Sequence, residues 1–206
     1  MSNCDCQLEA GSSAERQTLY AVLGINAGMF GVELISGFLF VSAGLIADSL
    51  DMLADAGVYA LSLYAVGRAS RHKVRAAYLS GMLQIALGLA VLAECLRRLY
   101  FGSEPESLGI MLIGAVALIA NVACLFLIAK HRRGEIHMQA AWIFSVNDVL
   151  ANIGVIAAGA LVAVTGSNLP DLIAGLLISS LVISGGRKIL RESAAAESDN
   201  GRRDQI

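Results

Sequence analysis

Residues 44–67 read Gly-Leu-Ile-Ala-Asp-Ser-Leu-Asp-Met-Leu-Ala-Asp-Ala-Gly-Val-Tyr-Ala-Leu-Ser-Leu-Tyr-Ala-Val-Gly. The run is long and apolar enough to cross ~30 Å of hydrocarbon as a helix. It nevertheless carries Asp48, Asp51 and Asp55 at spacings of three and four. That spacing stacks the three carboxylates on one helical face. A lone ionised carboxylate at mid-bilayer costs about 2.5–3.5 kcal/mol even on lenient insertion scales, so three on one stripe need a compensating partner. The natural partner is a cation.

Outward from this stretch, the composition places the whole chain in a membrane. Of 206 residues, 56% are hydrophobic and only 16% charged, too apolar for an ordinary soluble domain of this size. The net charge of -2 points to no polyanionic partner, which speaks against nucleic acid. Hydropathy predicts six transmembrane helices, at 18–40, 44–66, 77–99, 107–129, 139–164 and 171–190. The fold class expected is an all-α membrane protein, a six-helix transmembrane bundle. Gly24, Gly28, Gly81, Gly88, Gly175, Gly185 and Gly186 are expected to let helices approach closely.

Basic residues cluster after the second, fourth and sixth segments: Arg68, Arg71, Lys73 and Arg75; Lys130, Arg132 and Arg133; Arg187, Lys188, Arg191, Arg202 and Arg203. By the positive-inside rule these loops and both termini face the cytoplasm. Residues 1–16 read as a cytoplasmic tail, 17–193 as the transport domain and 194–206 as a disordered cytoplasmic tail. The N-terminus lacks the basic start of a cleavable signal peptide, so the first apolar segment is retained. Cys4 and Cys6 read as part of an ordinary disordered tail, since two neighbouring thiols without further ligands make only a weak soft-metal site, and with Cys95 and Cys124 inside apolar segments no disulfide framework is implied.

The ionisable residues inside the predicted helices are Glu33, Asp48, Asp51, Asp55, Glu94 and Asp148, all acidic. Glu94 can pair with Arg97 or Arg98, three and four residues on. The central aspartates have no such partner. In Phe144-Ser-Val-Asn-Asp-Val-Leu-Ala-Asn152, Asp148 and Asn152 share a face, with Ser145 and Asn147 beside it. A site between helices two and five would thus hold Asp51, Asp55 and Asp148, with Asp48, Asn147 or Asn152 able to add an oxygen. Such a site suits a divalent cation with about four ligands. It also suits exchange of that cation for protons, while a proton or sodium relay without metal is the competing reading. His72, His131 and His137 all fall in loops, leaving an all-oxygen site. No nucleophile and base pair, phosphate-cradling loop or cofactor motif is present in the sequence, so neither an enzyme nor a cofactor is expected.

These residues resemble the cation diffusion facilitator family. The run Ser42-Ala-Gly-Leu-Ile-Ala-Asp-Ser-Leu-Asp-Met-Leu-Ala-Asp-Ala is similar to its second-helix signature, in which Asp51 and Asp55 match the two ligand positions. Asn26, Glu33 and Gly37, Glu94 with Arg97 and Arg98, Asn121, Asp148-Val-Leu-Ala-Asn-Ile-Gly and Pro170-Asp-Leu-Ile-Ala-Gly agree in order, over about residues 17–193. The resemblance implies a proton-coupled antiporter exporting a divalent transition metal of the zinc, cobalt, cadmium, iron or manganese class. It implies a homodimer alternating between inward-open and outward-open states, here in the bacterial inner membrane. At the family's remaining ligand position, four residues before Asp148, stands Phe144, which cannot ligate. The fourth ligand is then Asn147 or Asn152, Asp48, or water. No C-terminal cytoplasmic metal-binding domain is expected, so dimerisation would use membrane helices. A non-transporting membrane metal-binding or sensor protein is the alternative function.

Overall fold

The computed structural model describes residues 5–65, 70–129 and 136–203. The side chains before Arg16, of residues 70–77 and 136–141, and of Phe144 are among those outside the description. The described chain is six helices and their turns: α1 (Asp5–Leu39), α2 (Ala43–Ala65), α3 (Ser70–Phe101), α4 (Ser107–Ala129), α5 (Ile136–Thr165) and α6 (Leu169–Arg203). The all-α membrane bundle predicted from hydropathy is the observed fold. Cys4 and the basic clusters after α2 and α4, apart from residues 71–75, lie outside the described residues.

Two boundaries differ most from expectation. Residues 194–203, expected to be disordered, continue α6, and residues 5–16 extend α1 in the same way. Ala194, Ala195, Ala196 and Glu197 follow Arg191 and Glu192 with no proline, a composition of strong helix formers. Hydropathy sees only where the apolar stretch stops, whereas the helix continues as long as local propensity permits.

Among the described residues five helices are apolar enough to cross a membrane. The sixth, α2, is long enough at 23 residues, and it falls short because Asp48, Asp51 and Asp55 interrupt it. Its position offsets this polarity: α2 packs against all five other helices, so its acidic face meets protein rather than lipid. Around it α1 pairs with α2, α3 with α6 and α4 with α5. Large apolar side chains such as Ile35, Phe38, Ile119, Phe126 and Leu177 are exposed on the outside of the bundle. The interior holds, among apolar side chains such as Leu45, Ile46 and Met52, the polar Asn26, Glu33, Asp48, Asp55, Asn121, Asp148 and Asn152. Apolar side chains turned outward and polar groups kept inside are what a hydrocarbon solvent selects.

The close approach expected of the glycines is found on α6. A Cβ at Gly186 would lie 2.9 Å from the Gly81 carbonyl oxygen, and one at Gly175 would lie 3.0 Å from the Ala43 backbone. At Gly88 it would meet Ile183 Cγ1 at 2.6 Å. Gly24 and Gly28, by contrast, face open space, because they lie on the exposed side of α1, and Gly185 makes only ordinary contact. Gly186→Val is therefore expected to force α3 and α6 apart at a cost of about 1–3 kcal/mol. Thermal unfolding in detergent reads this directly, and an unchanged melting temperature would show that the two helices part freely.

One end of the bundle is closed by a polar clasp. Ser42 caps α2, its Oγ accepting from the Leu45 amide at 3.0 Å. Asp171 of α6 accepts from Ser42 Oγ (2.5 Å), the Ala43 amide (2.6 Å) and the Gly44 amide (3.1 Å). The first amides of α2, which no helical carbonyl can reach, are thus met by a buried carboxylate. Beside it Arg98 donates to the Val41 carbonyl (2.6 Å) and to Glu94 (2.8 Å), while Arg97 grips the same carboxylate at 2.7 Å. The pairing of Glu94 that its spacing allowed is realised.

Candidate metal-ion site

The α2 stripe points into the bundle as its spacing requires. Asp48 and Asp55 are buried, and Asp51 between them is half-buried. Across from α2, α5 turns Asp148 and Asn152 inward, both buried. The carboxylates of Asp55 and Asp148 lie within hydrogen-bond reach of each other. Two carboxylates this close in a dry interior need a cation or a shared proton between their oxygens.

Neighbouring groups fix the pair rather than neutralise it. Tyr59, one turn along α2, donates its hydroxyl to Asp55 Oδ2 at 3.3 Å. Asn152 spends its amide nitrogen on the Asp148 backbone carbonyl at 2.8 Å, leaving Oδ1 without a partner. No donor reaches Asp148 Oδ2. Among the described residues the only buried basic side chain is Arg98, and it is held in the clasp.

Asp48 takes a different direction. It lies within hydrogen-bond reach of Glu33, which is fully buried on α1 with neither oxygen meeting a donor. The acidic groups thus divide into two pairs, Asp55 with Asp148 and Asp48 with Glu33, with Asp51 between them. Among the described residues no three acidic, histidine or cysteine side chains converge on one metal-sized point in this conformation. Asn147 is placed differently from Asn152. It is exposed, because one residue along an α-helix is a rotation of about 100° and Asp148 takes the inward position. Phe144 lies in α5, with its side chain outside the description.

Sequence reasoning passed over Tyr59 and Cys124. Tyr59 continues the 48, 51, 55 stripe by one more turn, so extending that periodicity finds it. Cys124 is buried against Tyr59, Val22, Leu19 and Ile128 in an apolar cluster on the far side of Asp55 from the clasp. Only the packing of α4 on α1 reveals it.

A family model described as the cation efflux transmembrane domain matches residues 19–196, nearly the whole bundle. The chain belongs to the cation efflux family. Cation efflux proteins similar to it include the zinc transporter ZitB of Escherichia coli (strain K12), 28% identical over 193 residues, which cover 86% of this chain and 61% of the relative. The cadmium, cobalt and zinc/H(+)-K(+) antiporter of Bacillus velezensis is 27% identical over 198 residues, 89% of this chain and 63% of that protein. The metal cation efflux system protein CzcD of Cupriavidus metallidurans is 23% identical over 189 residues, covering 86% of this chain. The chain spans 60–63% of the length of these three relatives. As a member of a cation efflux family with these apolar helices it is an integral membrane protein, and the family is one of transporters rather than enzymes.

Proposed function

We propose that the chain exports a divalent transition metal ion from the cytoplasm in exchange for protons, with the metal as substrate. The observation that carries this reading is the buried Asp55 and Asp148 pair, facing across α2 and α5 with no basic side chain beside it among the described residues. In the inward-facing state Asp51, Asp55 and Asp148 release protons and take the ion, with Asn152 Oδ1 as a further oxygen in place of the ligand that Phe144 cannot supply. Asp48 stands in reserve beside Glu33. Rearrangement of α2 and α5 then turns the site outward, where protons displace the metal. A relative named as a zinc/H(+)-K(+) antiporter supports the proton coupling. The reading places both termini in the cytoplasm, the bundle in a bacterial plasma membrane, and two copies together as a homodimer through membrane helices.

The full chain in sealed vesicles tests the reading. An acid-outside gradient across right-side-out membranes is expected to drive metal outward, and collapsing the gradient with a protonophore to stop it. Saturable binding without movement would instead indicate a sensor or storage role. A second reading, a proton or sodium carrier, is favoured by the lack of a three-ligand cluster among the described residues in this conformation. It predicts that the gradient dissipates with no divalent metal present.

A further inference from the structure

The wall of the site formed by α1 and α4 carries polar groups that the carboxylates leave unused. Asn26 of α1 donates its amide nitrogen to the Val22 carbonyl at 2.9 Å and to Cys124 Sγ at 3.8 Å. Its Oδ1, buried beside that thiol, has no partner. Asn121 lies one turn before Cys124 on α4, is 1% exposed, and has neither its oxygen nor its nitrogen satisfied. Cys124 itself is 1% exposed and packs with Tyr59, the residue that holds Asp55. Its thiol lies within electrostatic range of both Asp55 and Asp148. An amide that meets a thiol while its own oxygen goes unmet, and a second amide one turn along α4 with no partner at all, are costly in a purely structural role, since unmet buried polar atoms are costly.

We propose that Cys124, with Asn26 Oδ1 and Asn121 Oδ1, forms a sulfur-bearing donor set on the α1 and α4 side of the site that selects soft divalent cations over hard ones. The inference rests on the carboxylate site proposed above and adds the selecting ligand to it. Thiolate sulfur binds ions such as cadmium far better than it binds manganese or magnesium, which favour oxygen. On ligation the S–H bond breaks with its electron pair left on sulfur. The proton leaves toward the cytoplasm with those that Asp51, Asp55 and Asp148 release, and no electron is transferred. The apolar cluster of Leu19, Val22 and Ile128 keeps water from competing for the sulfur.

Cobalt titration of the full chain in detergent tests this, because sulfur-bound cobalt(II) gives a near-ultraviolet charge-transfer band that oxygen ligands do not. The band is expected in the unaltered protein and in a variant with Cys4, Cys6 and Cys95 all replaced by serine. It is expected to vanish in Cys124→Ser, with Cys124→Ala substituted if the serine variant does not fold. The ratio of cadmium to manganese affinity should then fall by about tenfold or more. Cobalt saturation without the band, or a band that survives loss of Cys124, overturns the proposal. Full transport by Asp55→Ala or Asp148→Ala would overturn the carboxylate site instead, leaving the sulfur signal to be read separately.

Discussion

Asp148→Ala is expected to reduce vesicular metal transport by more than about 100-fold, since even residues that merely orient a metal ligand are worth roughly 10–100-fold. Asp55→Ala should do the same. The distinguishing feature of these variants is that stability and function move in opposite directions. In the metal-free protein the two facing carboxylates are a liability, buried without a basic partner among the described residues, so removing one is expected to leave the melting temperature unchanged or raised. The rise in melting temperature on adding metal should disappear in the same variants. For the unaltered protein that rise corresponds to about 2.7 kcal/mol at a hundredfold excess over Kd. A variant that transports normally, or still gains the full metal-induced stabilisation, would remove Asp55 and Asp148 from the ligand set.

Asp171→Ala is expected to cost about 3 kcal/mol of stability, the largest single loss in the bundle away from the metal site. Three donors depend on this carboxylate: the Ser42 hydroxyl and the amides of Ala43 and Gly44. Hydrogen bonds to a charged acceptor contribute about 1.5–3 kcal/mol each, and a lost N-cap alone costs about 0.5–2 kcal/mol. The bonds are not additive, which keeps the figure below their sum. Asp171→Asn retains one acceptor oxygen and should fall between the alanine variant and the unaltered protein. Because α2 carries Asp48, Asp51 and Asp55 on the helix this clasp starts, the alanine variant should also weaken metal binding without touching a ligand. Alanine and unaltered proteins that melt within about 0.5 kcal/mol of each other would show that water takes over the cap.

Much of the site was legible because helical periodicity is a local property. The spacing of Asp48, Asp51 and Asp55, and of Asp148 and Asn152, fixes which residues share a face before any packing is known. What periodicity cannot supply is the rotation of each helix about its axis. That rotation leaves Asn147 outside and Asn152 inside, and sends Asp48 to Glu33 rather than to Asp148. It also decides that Gly186 meets the Gly81 backbone while Gly24 and Gly28 meet open space.

The sequence by itself determined the membrane class, the six helices and the acidic stripe, because the bilayer sorts residues by hydropathy and the helix repeats every 3.6 residues. Tertiary structure alone decided the pairing of carboxylates, the capping of α2 by Asp171 from 129 positions away from Ser42, and the placing of Cys124 beside Asn26. Each of these is a contact between helices distant in sequence, set by packing of whole faces rather than by any local preference of the residues that make it.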